Sequence, residues 1–100
     1  MRVRFTPDAR LAVRAKRTWW EANREKAPRL FVEELAAAVA KLRDGADEER
    51  QQYAARGGRI IWRILMPKTR NHLYYRIADT AGEVEILLLW NAVAGESPTL

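Results

Sequence analysis

Between Arg59 and Trp90 the apolar residues alternate with polar ones in three consecutive runs. Arg59–Met66, His72–Ile77 and Glu83–Trp90 are rich in β-branched, aliphatic and aromatic residues and predict three antiparallel strands. Pro67 has no N–H for a ladder and closes the first run. Asp79-Thr80-Ala81-Gly82 predicts a turn with its glycine last. In the second strand Leu73, Tyr75 and Ile77 share one face, and His72, Tyr74 and Arg76 the other. In the third, strict alternation puts Val84, Ile86, Leu88 and Trp90 together. Leu87 and Leu89 make its opposite face apolar too, as expected of an interior strand or one covered on both sides.

The preceding half of the chain changes period. Met1–Phe5 alternates Val3 and Phe5 with Arg2 and Arg4 and predicts a short strand. Thr6-Pro7-Asp8 is a helix start: a capping hydroxyl, a proline suited to the first turn, and an acid at the positive end of the dipole. The first helix is expected from Pro7 to about Arg24, with Leu11, Ala15, Trp19 and Ala22 as its core stripe. After the break at Lys26-Ala27-Pro28, a second helix is expected from about Pro28 to Asp44. Its stripe is Val32, Leu35, Val39 and Leu42, widened by Phe31 and Ala38, and Gly45 is its stop. Ala46–Gly58 is polar and aperiodic. It reads as a loop or a further helical turn, with Tyr53 as an anchor and Gly57-Gly58 as a turn.

Two amphipathic helices joined by so short a break form an antiparallel hairpin whose stripes need a sheet to cover. The chain therefore predicts an α+β fold in one domain, residues 1–100. An N-terminal strand precedes a helical hairpin, which packs on a small, mixed, largely antiparallel sheet (β-α-α-β-β-β). A chain of this length buries roughly 65% of its unfolded surface, enough for one core.

Charge adds a direction. The formal net charge is +5, and it is unevenly placed. Met1–Arg29 carries nine Lys/Arg against three Asp/Glu, and Arg59–Ala78 five against none. Leu30–Gly58 carries four against six, and Asp79–Leu100 none against four. A basic patch suggests nucleic acid or an acidic protein partner. The first block reads equally as a solvated surface, whereas the second, with its charges within a sheet, points to function. With no cysteine and one histidine there is no disulfide framework, no thiolate nucleophile and no expected metal site or cofactor. No signal-like or membrane-length apolar run occurs, and a cytoplasmic protein is expected.

Chemistry narrows to Arg63, Lys68, Arg70, His72 and Arg76, all on the first hairpin of the predicted sheet. Arginine and lysine can stabilise phosphate charge, and a histidine titrates near neutrality. For His72 a structural role in the NHLYY strand outweighs a catalytic one. No serine is paired with it by a recognisable motif, and Gly57-Gly58 precedes a strand rather than a helix, so neither a hydrolytic triad nor a phosphate loop is present. On the first helix Arg10, Arg14 and Arg17 lie off the apolar stripe. Trp19 and Trp20 point about 100° apart, so one of them is available as a surface anchor.

The stretch LMPKTRNHLYYRI, followed by ILLLW and the closing SPTL, resembles the RelE/ParE toxins of type II toxin–antitoxin pairs. TPDARLAV and WWEANREKAPRLFVEEL fit one branch of that family, and the chain as a whole resembles the ParE-like branch more closely. The resemblance covers nearly the whole chain and is weakest at Gly45–Gly58. It implies a growth-arresting toxin, as in plasmid-stabilisation systems, neutralised by a small cognate antitoxin. Its target would be DNA gyrase in the ParE-like reading, or the ribosome and mRNA in a RelE-like endoribonuclease reading. In that second reading Arg63 matches the transition-state arginine, with His72 as the titrating group. The departures weigh against cleavage: Trp62 stands where relatives often have an arginine, as do Val93 and Ala94, and Trp90–Leu100 has no Arg, Lys, His or Tyr. Target contacts would come from Arg63, Lys68, Arg70, His72 and Arg76. Antitoxin contacts would come from Arg10, Arg14, Arg17 and Trp20. A competing class is a non-toxic, basic nucleic-acid-binding α+β module.

Overall fold

The first helix starts where the sequence places its signal. The computed structural model describes residues 1–45, 50–78, 82–93 and 98–100. Strand β1 is Arg2–Phe5, helix α1 Pro7–Asn23 and helix α2 Leu30–Arg43. Strands β2 (Gln51–Arg56), β3 (Arg59–Met66), β4 (Asn71–Ala78) and β5 (Glu83–Asn91) follow. At the start of α1 the Thr6 hydroxyl accepts from the Ala9 N–H at 3.1 Å and donates to the Leu87 carbonyl at 3.1 Å. The cap thus ties the helix to β5.

The α+β architecture is the one expected, with one more strand. The sheet order is β1-β5-β4-β3-β2. β1 runs parallel to β5, with Arg2 opposite Glu83 and Phe5 opposite Ile86. The other three pairings are antiparallel. β5 lies between β1 and β4 in the interior of the sheet. Among the described residues no helix is long and apolar enough to cross a membrane.

Both helices cover one sheet face. Ile64, Met66, Leu73, Tyr75, Val84, Ile86 and Leu89 meet Ala9, Trp20, Phe31, Ala38 and Leu42 in one core. Residues opposite on the ladder then define the outer face. There Arg63 stands opposite Tyr74, Leu65 opposite His72, and His72 opposite Trp90.

Three expectations are corrected. First, Gln51–Arg56 is a strand, not a loop or helical turn. It is an edge strand paired on one side only, so no alternation of apolar residues marks it. The β2–β3 hairpin closes through Gly57 and Gly58, whose φ of 57° and 78° suit a two-residue turn that other residues resist. Residues 46–49, also within that stretch, lie outside the described residues, as do Asp79–Ala81 of the predicted turn.

Second, β5 does not alternate strictly. Tyr74 pairs with Leu88 while Tyr75 pairs with Ile86, so Leu87 is an extra residue in a bulge. Beyond it the faces swap: Leu89 joins Val84 and Ile86 in the core, and Leu88 and Trp90 turn outward.

Third, α1 is rotated from its predicted orientation. Ala9, Ala12, Val13 and Trp20 face the core, whereas Leu11 is 63% and Trp19 45% exposed. Ala15 and Ala22 are exposed beside them. Small residues at Ala9 and Ala12 let the helix sit close to the sheet, and Trp20 closes the far end. Its indole N–H donates to the Ala27 carbonyl at 2.7 Å and pins the connection to α2.

Candidate functional site

The outer sheet face gathers Gln51, Tyr53, Arg63, His72 and Tyr74. Register explains it: Gln51, Arg63 and Tyr74 stand in one row across β2, β3 and β4. A second bulge, between Gln52 and Ala54, gives β2 an extra residue at Tyr53. The Tyr53 ring meets the Tyr74 ring edge-on at 4.7 Å, with the Arg63 guanidinium 5.4 Å from its centroid. Tyr53 is an anchor, as expected: its hydroxyl donates to the Pro98 carbonyl at 2.5 Å and ties down the chain after β5.

Arg63 is held on several sides. Its Nε donates to Gln51 Oε1 at 2.9 Å, and Nη1 lies 3.4 Å from the Tyr74 hydroxyl. The His72 ring sits edge-on to Tyr74, with centroids 5.9 Å apart. Burial, and secondly the charge of Arg63, hold the His72 pKa below its ordinary 6.5. The imidazole is therefore neutral near neutral pH.

The five proposed target contacts do not form one patch. Arg63 and His72 share the outer face. Arg76 is on that face too, but its Nε donates to Glu85 Oε1 at 2.7 Å. Glu85 is buried and also pairs with Arg4, which reaches Glu83 at 2.6 Å. Two guanidiniums thus neutralise Glu85, and Arg76 serves the sheet. Lys68 and Arg70 are elsewhere, on the exposed turn between β3 and β4. There the Glu34 carboxylate of α2 accepts from the N–H of Lys68 and of Thr69 at 2.7 and 2.8 Å, and from the Thr69 hydroxyl at 2.6 Å.

Of the α1 candidates, Arg10, Arg14 and Arg17 are exposed as expected, and Arg17 pairs with Glu21 at 3.0 Å. Trp20 is only 8% exposed and is a core residue. Trp19 takes the surface position instead. Its ring has Lys16 Nζ at 5.6 Å and Arg24 Cζ at 5.3 Å. Sequence reasoning missed Lys16, Arg24, Gln51 and Tyr74 as neighbours of the candidate residues. Tyr74 was within reach, because it shares a strand face with His72. Gln51 was not, because its strand was not recognised.

Among the described residues no group of three or more His, Cys, Asp or Glu side chains is placed to hold a metal ion. Set against known proteins, the chain matches no family model, no curated protein and no solved structure.

Proposed function

We propose that this chain is the toxin of a type II toxin–antitoxin pair, of the ParE-like kind that acts by holding DNA gyrase, and that a small antitoxin protein neutralises it. The observation that carries the reading is the outer face of α1. Leu11, Ala15, Trp19 and Ala22 lie exposed in one line, with Arg10, Arg14 and Arg17 alongside. Leaving a leucine side chain in water forgoes about 1.5–3 kcal/mol of burial. One such residue is ordinary, but a full helical stripe of them beside arginines suits an amphipathic acidic segment. The motif resemblance and the α+β layout support the same reading.

The outer sheet face favours holding over cutting. Arg63 is engaged by Gln51 and Tyr74, Arg76 by Glu85, and a neutral His72 supplies no proton for a leaving oxygen. Cleavage by a 2′-hydroxyl needs a base, a cation over the phosphate and an acid for the leaving oxygen. A base and one cation are at hand in His72 and Arg63. That pairing is the one observation favouring the ribonuclease reading, in which both act on mRNA at the ribosome.

The test is expression of the chain alone and with the small protein encoded beside it, followed by gyrase supercoiling and ribosome-bound mRNA cleavage assays. Growth arrest relieved by the neighbour, with inhibited supercoiling and intact mRNA, is expected. Normal growth at a high level of folded protein would sink the toxin reading. Cut mRNA with unaffected gyrase would replace the target.

A further inference from the structure

A second site lies away from the Arg63–His72 face. The carboxyl-terminal half of α1 and the β3–β4 turn enclose a cleft of about 600 Å³. Its walls carry Lys16, Trp19 and Arg24 from the helix, and Lys68, Thr69 and Arg70 from the turn. Four cations converge there, and among the described residues no carboxylate lines the cleft. None of the four is ion-paired within the described residues. Elsewhere on the surface Arg4, Arg17, Arg29 and Arg76 face glutamates.

The cleft is also pre-shaped. Glu34 clamps the turn through two backbone N–H groups and the Thr69 hydroxyl. Arg70 has φ 58°, the one left-handed residue besides glycines in the described chain. A side chain there costs backbone energy that a glycine would avoid. Its carbonyl is fixed by the Ala92 N–H at 2.9 Å. Across the cleft, the Trp19 and Trp20 rings are 5.9 Å apart and tilted by 58°, and Arg24 lies over both. Like charges held together repel unless an anion joins them. A half-exposed indole offers a flat apolar wall.

We infer that this cleft binds a nucleotide, its phosphates between Lys16, Arg24, Lys68 and Arg70 and its base against Trp19. Guanidinium pairs suit phosphate oxygens, and base–indole stacking tolerates any base. A lone inorganic anion would leave the indole wall and most of the volume unused. The same chemistry is offered by a free nucleoside triphosphate and by one unit of a single strand. The inference stands whether or not the chain is a toxin, because the binding assay reads neither growth nor gyrase.

The experiment is fluorescence anisotropy with the purified full chain and two labelled probes, adenosine triphosphate and a single-stranded DNA decamer, over a salt series. Binding of either probe is expected, and the stronger one identifies the source. Arg70→Gly keeps the turn, since glycine is at ease at that φ. It is expected to weaken binding about tenfold and to reduce the slope of log affinity against log salt by about one. Lys16→Gln, at a half-buried position of the helix surface, is expected to act in the same direction. Trp19→Ala is expected to weaken the nucleotide but not inorganic triphosphate used as a competitor. Three results would overturn the inference: neither probe binds, Arg70→Gly and Lys16→Gln bind as the parent does, or inorganic triphosphate competes as well as the nucleotide.

Discussion

The Glu34 carboxylate and Thr69 are joined twice, Oε1 accepting from the Thr69 N–H at 2.8 Å and from its hydroxyl at 2.6 Å. Oε2 takes the Lys68 N–H at 2.7 Å. One helix side chain thus satisfies a turn that has no strand partner for its own N–H groups. Hydrogen bonds to a charged acceptor contribute about 1.5–3 kcal/mol each at best, and solvent at this partly exposed turn reduces that. Glu34→Ala is expected to cost about 1–3 kcal/mol in urea unfolding and to lower Tm by about 4–8 °C per kcal/mol. Faster hydrogen exchange at the Lys68 and Thr69 amides should accompany it. Unchanged exchange there would show that the clamp does not hold the turn.

His72 predicts a pH dependence of definite sign. Burial and Arg63 keep its folded pKa below the ordinary 6.5. Above that value the ring is neutral in both states and contributes no slope. As pH falls through it, the unfolded chain takes up the proton first, so stability declines until the folded value is passed. His72→Gln should flatten that decline. The check is the urea midpoint of both proteins from about pH 7.5 to about pH 5, where the parent-minus-variant difference isolates the histidine. A difference that grows as pH falls would reverse the assignment.

Arg63 and His72 also separate the two toxin mechanisms. Under gyrase holding, His72→Gln leaves growth arrest intact, and toxicity follows affinity for the enzyme. Under RNA cleavage, Arg63→Ala would lose about 3 kcal/mol of transition-state stabilisation, on the order of a hundredfold in rate. We expect the first outcome. mRNA cut on ribosomes by the parent, and lost in Arg63→Ala at unchanged Tm, would establish the second.

If an antitoxin docks on α1 as proposed, the charges would steer it and the apolar stripe would hold it. Replacing Arg10, Arg14 and Arg17 by Glu should slow antitoxin association and flatten its dependence on ionic strength. Trp19→Ala should instead speed dissociation. Surface plasmon resonance at two salt concentrations distinguishes these effects. An association rate unaltered by the triple reversal at low salt would move the antitoxin to another face.

The strands from Arg59 onward, the Thr6 cap and the Gly45 stop were readable because each depends on a local signal. The orientation of α1 was not. Leu11-Ala15-Trp19-Ala22 and Ala9-Val13-Trp20 are both apolar stripes at helical spacing, and the greasier one faces outward. Packing against β5 selects the smaller residues, and only the third dimension supplies β5. The swap of faces after Leu87 is likewise set by ladder register, which no alternation within β5 records. At the site, Arg63 and His72 were found through residue chemistry. The cleft joining Lys16 and Arg24 to Lys68 and Arg70 needed the fold, because those pairs lie on segments with no shared pattern.

The parallel pairing of β1 with β5 bears on the order in which this molecule assembles. Arg2 meets Glu83 and Phe5 meets Ile86, across most of the chain's length. Such a contact closes a long loop and is costly in entropy until the intervening elements have collapsed. The β2–β3 and β3–β4 hairpins need no such wait, since their partners are neighbours in sequence. During synthesis β1 leaves the ribosome long before its partner β5, and Thr6, whose hydroxyl donates to the Leu87 carbonyl, waits with it. Until β5 emerges, α1 has neither its sheet nor its tether, and its two competing stripes are equally free.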